Sequence, residues 1–242
     1  MSKKKNASSA STKVEETGVA INYRVNLKCK NAKQKELVKS IHENDIIFVE
    51  GVFGVGKTFV INSVALEMLK EPNNGIDKIM CIVPTVEVGT MHLGSLPGDL
   101  SQKLENHCIN EMDAFTKILK KSENPNPDLI IEKLIKEEKI VVRPISFLRG
   151  ASIENSFICV SEAEEFTKEE LFLIISRFES GKMVISGDPL QASRSQVRNG
   201  NSGLLHAMEK LTDINGVGTV KFTEDDIVRN DILYDIYKKW NS

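Results

Sequence analysis

Five short runs of almost unbroken apolar residues punctuate the chain: Ile46-Ile47-Phe48-Val49, Ile79-Met80-Cys81-Ile82-Val83, Ile140-Val141-Val142, Phe157-Ile158-Cys159-Val160 and Met183-Val184-Ile185-Ser186. A strand with one solvated face alternates apolar and polar residues, so these unbroken runs read as strands buried on both faces. Between them the period changes. Phe59, Val60, Val64 and Met68 recur at helical spacing. Thr167-Lys168-Glu169-Glu170 has the form of a capping box that opens a helix from Leu171 to Phe178, and Asn124-Pro125-Asn126-Pro127-Asp128 marks a turn between two helical segments. Strands alternating with helices predict an α/β fold built on a doubly wound, mostly parallel sheet flanked by helices. No repeat or composition break divides residues 19–242, which are expected to form a single domain. Residues 1–18 are polar and rich in Lys and Ser, lack the apolar surface that would offset ordering entropy, and are expected to be a disordered tail.

Composition narrows the class. With 242 residues, 40% of them apolar, the chain has enough material for a sizeable core without staples. No apolar run reaches the roughly 18–20 residues of a membrane span, and Met1-Ser2-Lys3-Lys4-Lys5 leads into polar residues. Cys29, Cys81, Cys108 and Cys159 are widely spaced, without a CxxC pair, which argues against a zinc site or a disulfide framework. A cytoplasmic protein with reduced thiols and no membrane partner is expected. The net charge of −2 excludes a whole-molecule field that gathers nucleic acid, so any such contact must be local. Aromatic residues make up 6% of the chain, with Trp240 the single tryptophan, which leaves little for a base-stacking platform and weighs against a pure strand-binding module.

One motif carries specific chemistry. Gly51-Val52-Phe53-Gly54-Val55-Gly56-Lys57-Thr58 fits G-x-x-x-x-G-K-[ST], a pattern expected by chance only about 0.01 times in a chain of this length. It follows the first apolar run and opens the first helical pattern, which is the strand-loop-helix setting the motif requires. Glycines let backbone N–H groups converge on an anion, the helix N-terminus adds its dipole, Lys57 reaches the β and γ phosphates, and Thr58 ligates Mg²⁺. ATP or a related nucleoside triphosphate with Mg²⁺ is therefore the expected ligand pair, with Gly51, Phe53, Gly54, Val55, Gly56, Lys57 and Thr58 around the phosphates.

Beside this loop, further segments resemble those of the PhoH-like ATPases, relatives of the superfamily 1 helicase core, from about Asn31 to Trp240. They are Pro84-Thr85-Val86-Glu87-Val88-Gly89 with Leu93-Gly94-Ser95-Leu96-Pro97-Gly98-Asp99-Leu100, then Phe147-Leu148-Arg149-Gly150, Ser161-Glu162-Ala163-Glu164, Gly187-Asp188-Pro189-Leu190-Gln191, Ser202-Gly203-Leu204 and Asp226-Ile227-Val228-Arg229. The resemblance implies that Gln34 pairs with adenine, that Glu162 orients and deprotonates the attacking water beside the metal, and that Gln191 senses the γ-phosphate. It also implies that Arg229 contacts that phosphate from its own chain or a neighbouring one, with Arg149 a second candidate. An ATPase coupled to RNA or single-stranded DNA, working as a homo-oligomer such as a ring-shaped hexamer, is the implied activity. Place in sequence supports the roles of Glu162 and Gln191, since both follow predicted strands and ligands collect at the carboxyl ends of parallel strands.

The chain departs from that pattern where it matters for the metal. The usual Asp-Glu pair reads Ser161-Glu162, so the residue that normally holds Mg²⁺ through its water shell has lost its charge. Glu164, Glu165 and Asp188 are candidates to supply it. Smaller departures are Val83, where arginine commonly precedes the proline, and Asn201, where a basic residue is common. Two other readings stand beside the enzyme: a nucleotide-gated binding or assembly module with little hydrolysis, and a small-molecule kinase. The kinase reading leaves Gly187–Gln191 and Arg229 without a role.

Overall fold

A computed structural model of the chain describes residues 21–84 and 100–240. Its six strands are β1 (Ile46–Glu50), β2 (Lys78–Val83), β3 (Ile140–Pro144), β4 (Ser156–Val160), β5 (Gly181–Gly187) and β6 (Val217–Lys221). They form one sheet in the order β3-β2-β4-β5-β1-β6, and every neighbouring pair is parallel. The helices are α1 (Ala32–Glu43), α2 (Lys57–Lys70), α3 (Leu100–Lys121), α4 (Pro127–Lys136), α5 (Lys168–Ile175), α6 (Ser195–Arg198), α7 (Gly203–Lys210) and α8 (Asp231–Trp240).

The unbroken apolar runs are explained by two cores, one on each face of the sheet. Ile47, Val49, Ile79, Cys81, Phe157 and Cys159 pack under α1 to α4 against residues such as Leu37, Val64, Phe115 and Ile131. The alternate positions Phe48, Met80, Ile82, Ile158 and Val160 point the other way, onto Leu171 and Ile174 of α5 and Leu204 and Met208 of α7. The side-chain period of two is therefore present, but both phases are apolar. β6 escapes the sequence pattern because Val217-Gly218-Thr219-Val220-Lys221 is an edge strand in which only Val220 is buried.

Connectivity sets the position of the site. The crossover after β1 carries α2 on one face, and the crossover after β5 carries α7 on the other. β1 and β5 are hydrogen-bonded neighbours, Ile46 to Glu50 in register with Met183 to Gly187. Adjacent parallel strands whose connections leave to opposite faces open a crevice at their carboxyl ends, where ligands of such sheets bind. The capping box forms as the sequence predicts: Thr167 Oγ1 accepts from the Glu170 N–H, and the Glu170 carboxylate accepts from the Thr167 N–H. It closes the same end of the sheet. Among the described residues, no helix is long and apolar enough to cross a membrane. Residues 1–18 and the stretch 85–99 of the second family-like segment lie outside the described residues.

Candidate nucleotide site

β1 ends at Glu50, and the loop Gly51–Gly56 turns directly into α2 at Lys57. Gly56 occupies the helix N-cap in the left-handed region (φ 85°), and a Cβ there would lie 2.8 Å from Gln34 Nε2. The positive φ calls for glycine, and a Cβ would also press on the Gln34 amide. No side chain caps α2, so its first-turn N–H groups and the positive end of its dipole face the loop, the arrangement that binds phosphate.

Two adjoining clefts meet at Lys57 and Thr58, and they are opposite in charge. The larger, about 490 Å³, is lined by Lys28, Lys30, Lys57, Lys117, Lys121 and Arg229 and, among the described residues, by no acidic one. The smaller, about 270 Å³, is lined by Glu111, Glu162, Glu164 and Asp188, with Lys57 its one cation among the described residues. Ser161 and Gln191 line it as well. The site is thus basic on one side of Lys57 and Thr58 and acidic on the other.

Burial lowers the pKa of the Lys57 ammonium, and Asp188 and Glu164 work against that shift. Its Nζ donates to the Gly51 carbonyl and, at 3.2 Å, to the Val52 carbonyl. Burial likewise raises the pKa of Glu164, opposed by hydrogen bonds from its own backbone N–H and that of Asp188 and by the charge of Lys57. Glu162 follows β4 with left-handed backbone (φ 53°, ψ 41°). That conformation is costly for a residue with a Cβ and is often found at functional turns. The Asp188 carboxylate accepts from the Leu190 N–H at 3.2 Å and from Gln191 Nε2 at 2.7 Å, which fixes the turn after β5.

Gly187 is the second glycine the site requires. A Cβ on it would lie 2.5 Å from Glu164 Oε2 and 2.7 Å from the Glu164 backbone nitrogen. Gly187→Ala is expected to destabilise the fold by about 1–3 kcal/mol, the usual cost of overpacking. Urea denaturation checks this, and a variant as stable as the parent would contradict the close approach.

The structure brings most of the expected residues together. Gly54, Gly56, Lys57, Thr58, Gln34 and Arg229 line the basic cleft, and Thr58, Glu162 and Gln191 line the acidic one. Arg229 is exposed on the rim, next to Val228, whose N–H donates to the Gly54 carbonyl at 3.1 Å. Gln34 is buried, with Oε1 accepting from the Lys30 N–H at 2.7 Å and Nε2 donating to the Val55 carbonyl at 2.8 Å. In this position it braces the loop, and pairing with adenine would have to use its remaining N–H and lone pair or displace a bond. The Phe53 ring meets Tyr237 of α8 edge to face at 5.6 Å, and Val55 is fully buried. Phe53, Val55 and Gly51 line neither cleft. Arg149 lines neither cleft.

Lys28, Lys30, Glu111, Lys117 and Lys121 were not legible as site residues. Only the packing of α3 beside α2 brings Glu111, Lys117 and Lys121 to the clefts. Asn31 is another: its Nδ2 donates to the Asp226 carbonyl at 3.1 Å while its Oδ1 caps α1, which ties the helix to the segment carrying Arg229. Among the described residues no group of three or more His, Cys, Asp or Glu is placed to hold a metal by itself.

An uncapped helix N-terminus behind a glycine loop, at the switch point of a parallel sheet, defines a P-loop NTPase. Comparison with known proteins then gives the family. The profile described as "PhoH-like protein" matches residues 26–241, and the chain belongs to that family. It is 31% identical over 215 residues to a PhoH-like protein of Synechocystis, covering 88% of this chain and 62% of that one. A PhoH-like protein of Bacillus subtilis is 29% identical over 216 residues, covering 89% and 64%, and Protein PhoH of Escherichia coli K12 is 27% identical over 204 residues, covering 83% and 54%. The chain therefore spans less than two thirds of the length of these relatives. Among solved structures, the crystal structure of Bacteroides Pif1 bound to ssDNA is a distant likeness, with a TM-score of 0.34 and 14% identity over 82% of this chain and 42% of that one.

Proposed function

We propose that this chain is an ATPase that binds Mg²⁺·ATP across the two clefts and hydrolyses it. The observation that carries the reading is the charge partition about Lys57 and Thr58, with five further basic residues on one side and four carboxylates on the other among the described residues. An anion cradle alone would need only the first. The acidic half is what hydrolysis adds, because a cation must offset the phosphate charge and a base must take the proton of water.

The residues divide the work as follows. The loop N–H groups and Lys57 hold the β and γ phosphates. Glu162, exposed at the end of β4, accepts the proton of the attacking water. Gln191, steadied by Asp188, reports the γ-phosphate to the turn after β5, and Arg229 faces the charge that develops on it. The donors offered to a metal are all oxygens, a hydroxyl and carboxylates, which suits Mg²⁺. Thr58 and Glu162 would hold the ion together with the phosphates, since no preformed cage exists among the described residues, and its chemistry there would be charge neutralisation. Coupling to RNA or single-stranded DNA and assembly into a homo-oligomer, a hexamer among the options, extend this reading. So does a cytoplasmic location.

Lys57→Ala is expected to weaken ATP binding by about 10- to 150-fold, the equivalent of about 1.5–3 kcal/mol for a hydrogen bond to a charged group. Competition against a fluorescent nucleotide measures it, and unchanged affinity would remove the loop from the account. The function itself is tested by phosphate release from Mg²⁺·ATP, with and without RNA and single-stranded DNA oligonucleotides, alongside the mass in solution. Turnover that depends on Lys57 supports the ATPase. Tight ATP binding without turnover would favour the nucleotide-gated module, for which Ser161 in the metal-supporting position is the specific observation.

A further inference from the structure

Resting on the nucleotide reading above, we infer that Glu164 supplies the carboxylate missing at Ser161, so that support for the metal's water shell has moved three residues along the same turn. The three candidates separate by what their oxygens already hold. Glu165 turns away: Oε1 accepts from the Ser193 N–H at 2.6 Å, and Oε2 accepts from the Ser193 hydroxyl at 3.0 Å and the Arg194 N–H at 3.2 Å. It lines neither cleft. Asp188 has one oxygen on the Leu190 N–H and the other on the Gln191 amide. Its charge reaches Lys57, but its acceptors are given to the turn.

Glu164 lines the cleft that Glu165 does not reach, and it differs from the equally buried Asp188 in what its oxygens hold. It is 8% exposed and lines the acidic cleft with Thr58 and Ser161. It has no ion pair within 4.0 Å among the described residues. Its Oε2 accepts from the Asp188 N–H at 3.0 Å. That bond engages one oxygen of the Glu164 carboxylate, whereas both oxygens of Asp188 are engaged. A buried carboxylate without an ion pair is costly to keep. Here the position is enforced, since Gly187 has no side chain to displace it. A divalent cation arriving with the phosphates would offset that cost, as a charge at 161 would have done for the ion. Ser161 gives the cleft a small neutral side chain, and Glu164 restores the charge without crowding a third carboxylate beside Glu162.

Because the sequence alone points to a weakened metal site, Ser161→Asp would be expected to strengthen it. If Glu164 already does this work, the added charge gains nothing and repels its neighbour. The probe is Mn²⁺, titrated by paramagnetic resonance into the protein saturated with ADP or a non-hydrolysable ATP analogue. Nucleotide affinity in EDTA is measured in parallel. Glu164→Gln should weaken Mn²⁺ binding by about 10- to 100-fold, the scale for loss of an outer-shell partner, and should leave metal-free nucleotide affinity unreduced. Ser161→Asp should not tighten Mn²⁺ binding in the parent chain but should restore it in the Glu164→Gln variant.

Unchanged Mn²⁺ affinity in a folded Glu164→Gln variant overturns the inference, as does a loss confined to Glu111→Gln. Should Glu164→Gln not fold, Ser161→Asp alone decides, because it leaves Glu164 in place: about tenfold tightening or more would show that the site had lacked the charge. A parent chain that binds no nucleotide even in EDTA overturns the nucleotide reading itself, and the inference with it.

Discussion

Arg229→Ala is expected to slow ATP hydrolysis by about 10³-fold or more while changing ATP affinity far less, because an arginine of this kind acts on charge that develops only as the phosphoryl group transfers. Its position beside the loop of its own chain is the reason to expect the effect within one subunit. The Val228 N–H is bonded to the Gly54 carbonyl, and a Cβ on Gly54 would lie 3.5 Å from Arg229 Cβ. Two further bonds hold the segment: Lys30 Nζ donates to the Val228 carbonyl at 3.0 Å, and Asn31 Nδ2 donates to the Asp226 carbonyl. These bonds set the backbone that carries Arg229 within its own chain. Mixing Arg229→Ala with Glu162→Gln subunits tests this: the mixture should stay inactive. Recovered turnover would place the arginine across an interface, and loss of binding equal to the loss of rate would make it a ground-state phosphate contact.

Glu162→Gln should preserve ATP binding and reduce hydrolysis by at least about 10²-fold, the scale of general-base catalysis. The amide keeps the shape of the carboxylate but cannot take a proton. The site contains three other carboxylates, so the effect depends on which of them faces water. Glu111, Glu164 and Asp188 are each less than 9% exposed, whereas Glu162 is exposed. Only Glu162 combines access to a water with a place at the end of β4. Single-turnover phosphate release compares the two proteins at saturating ATP. Equal rates would show that Glu162 is not the base, and if the parent is itself that slow, the nucleotide-gated reading takes precedence.

The central strands and the phosphate loop were legible because each has a local cause. Ile46–Val49 and Phe157–Val160 must be apolar in both phases when helices cover both faces, and Gly56 must be glycine to turn into α2. β6 was not legible, since an edge strand carrying Gly218 and Thr219 shows no such run. Among site residues, those on the strand ends could be placed by the rule that ligands gather there. Glu162, Asp188 and Gln191 all follow strands that end beside the crevice.

Residues that reach the clefts from elsewhere could not be placed. Lys117 and Lys121 look like the solvated face of α3 until α3 is seen packed against α2. Gln34 shows the opposite difficulty. The family resemblance implied a base-reading amide, and the fold adds a bond from that amide to the Val55 carbonyl that the sequence did not show. Glu164 and Glu165 are adjacent in sequence and indistinguishable there, yet one is buried at the cleft and the other is bonded to Ser193 and Arg194.

The central claim is that one triphosphate and its metal bind where the basic and acidic clefts meet. Calorimetric titration of the chain with a non-hydrolysable ATP analogue, in the presence and absence of Mg²⁺, tests it most directly. The account predicts one site per chain, tighter with Mg²⁺ than without, and weakened by Lys57→Ala in both conditions. Binding that Lys57→Ala leaves unchanged, or no binding in either condition, would contradict it.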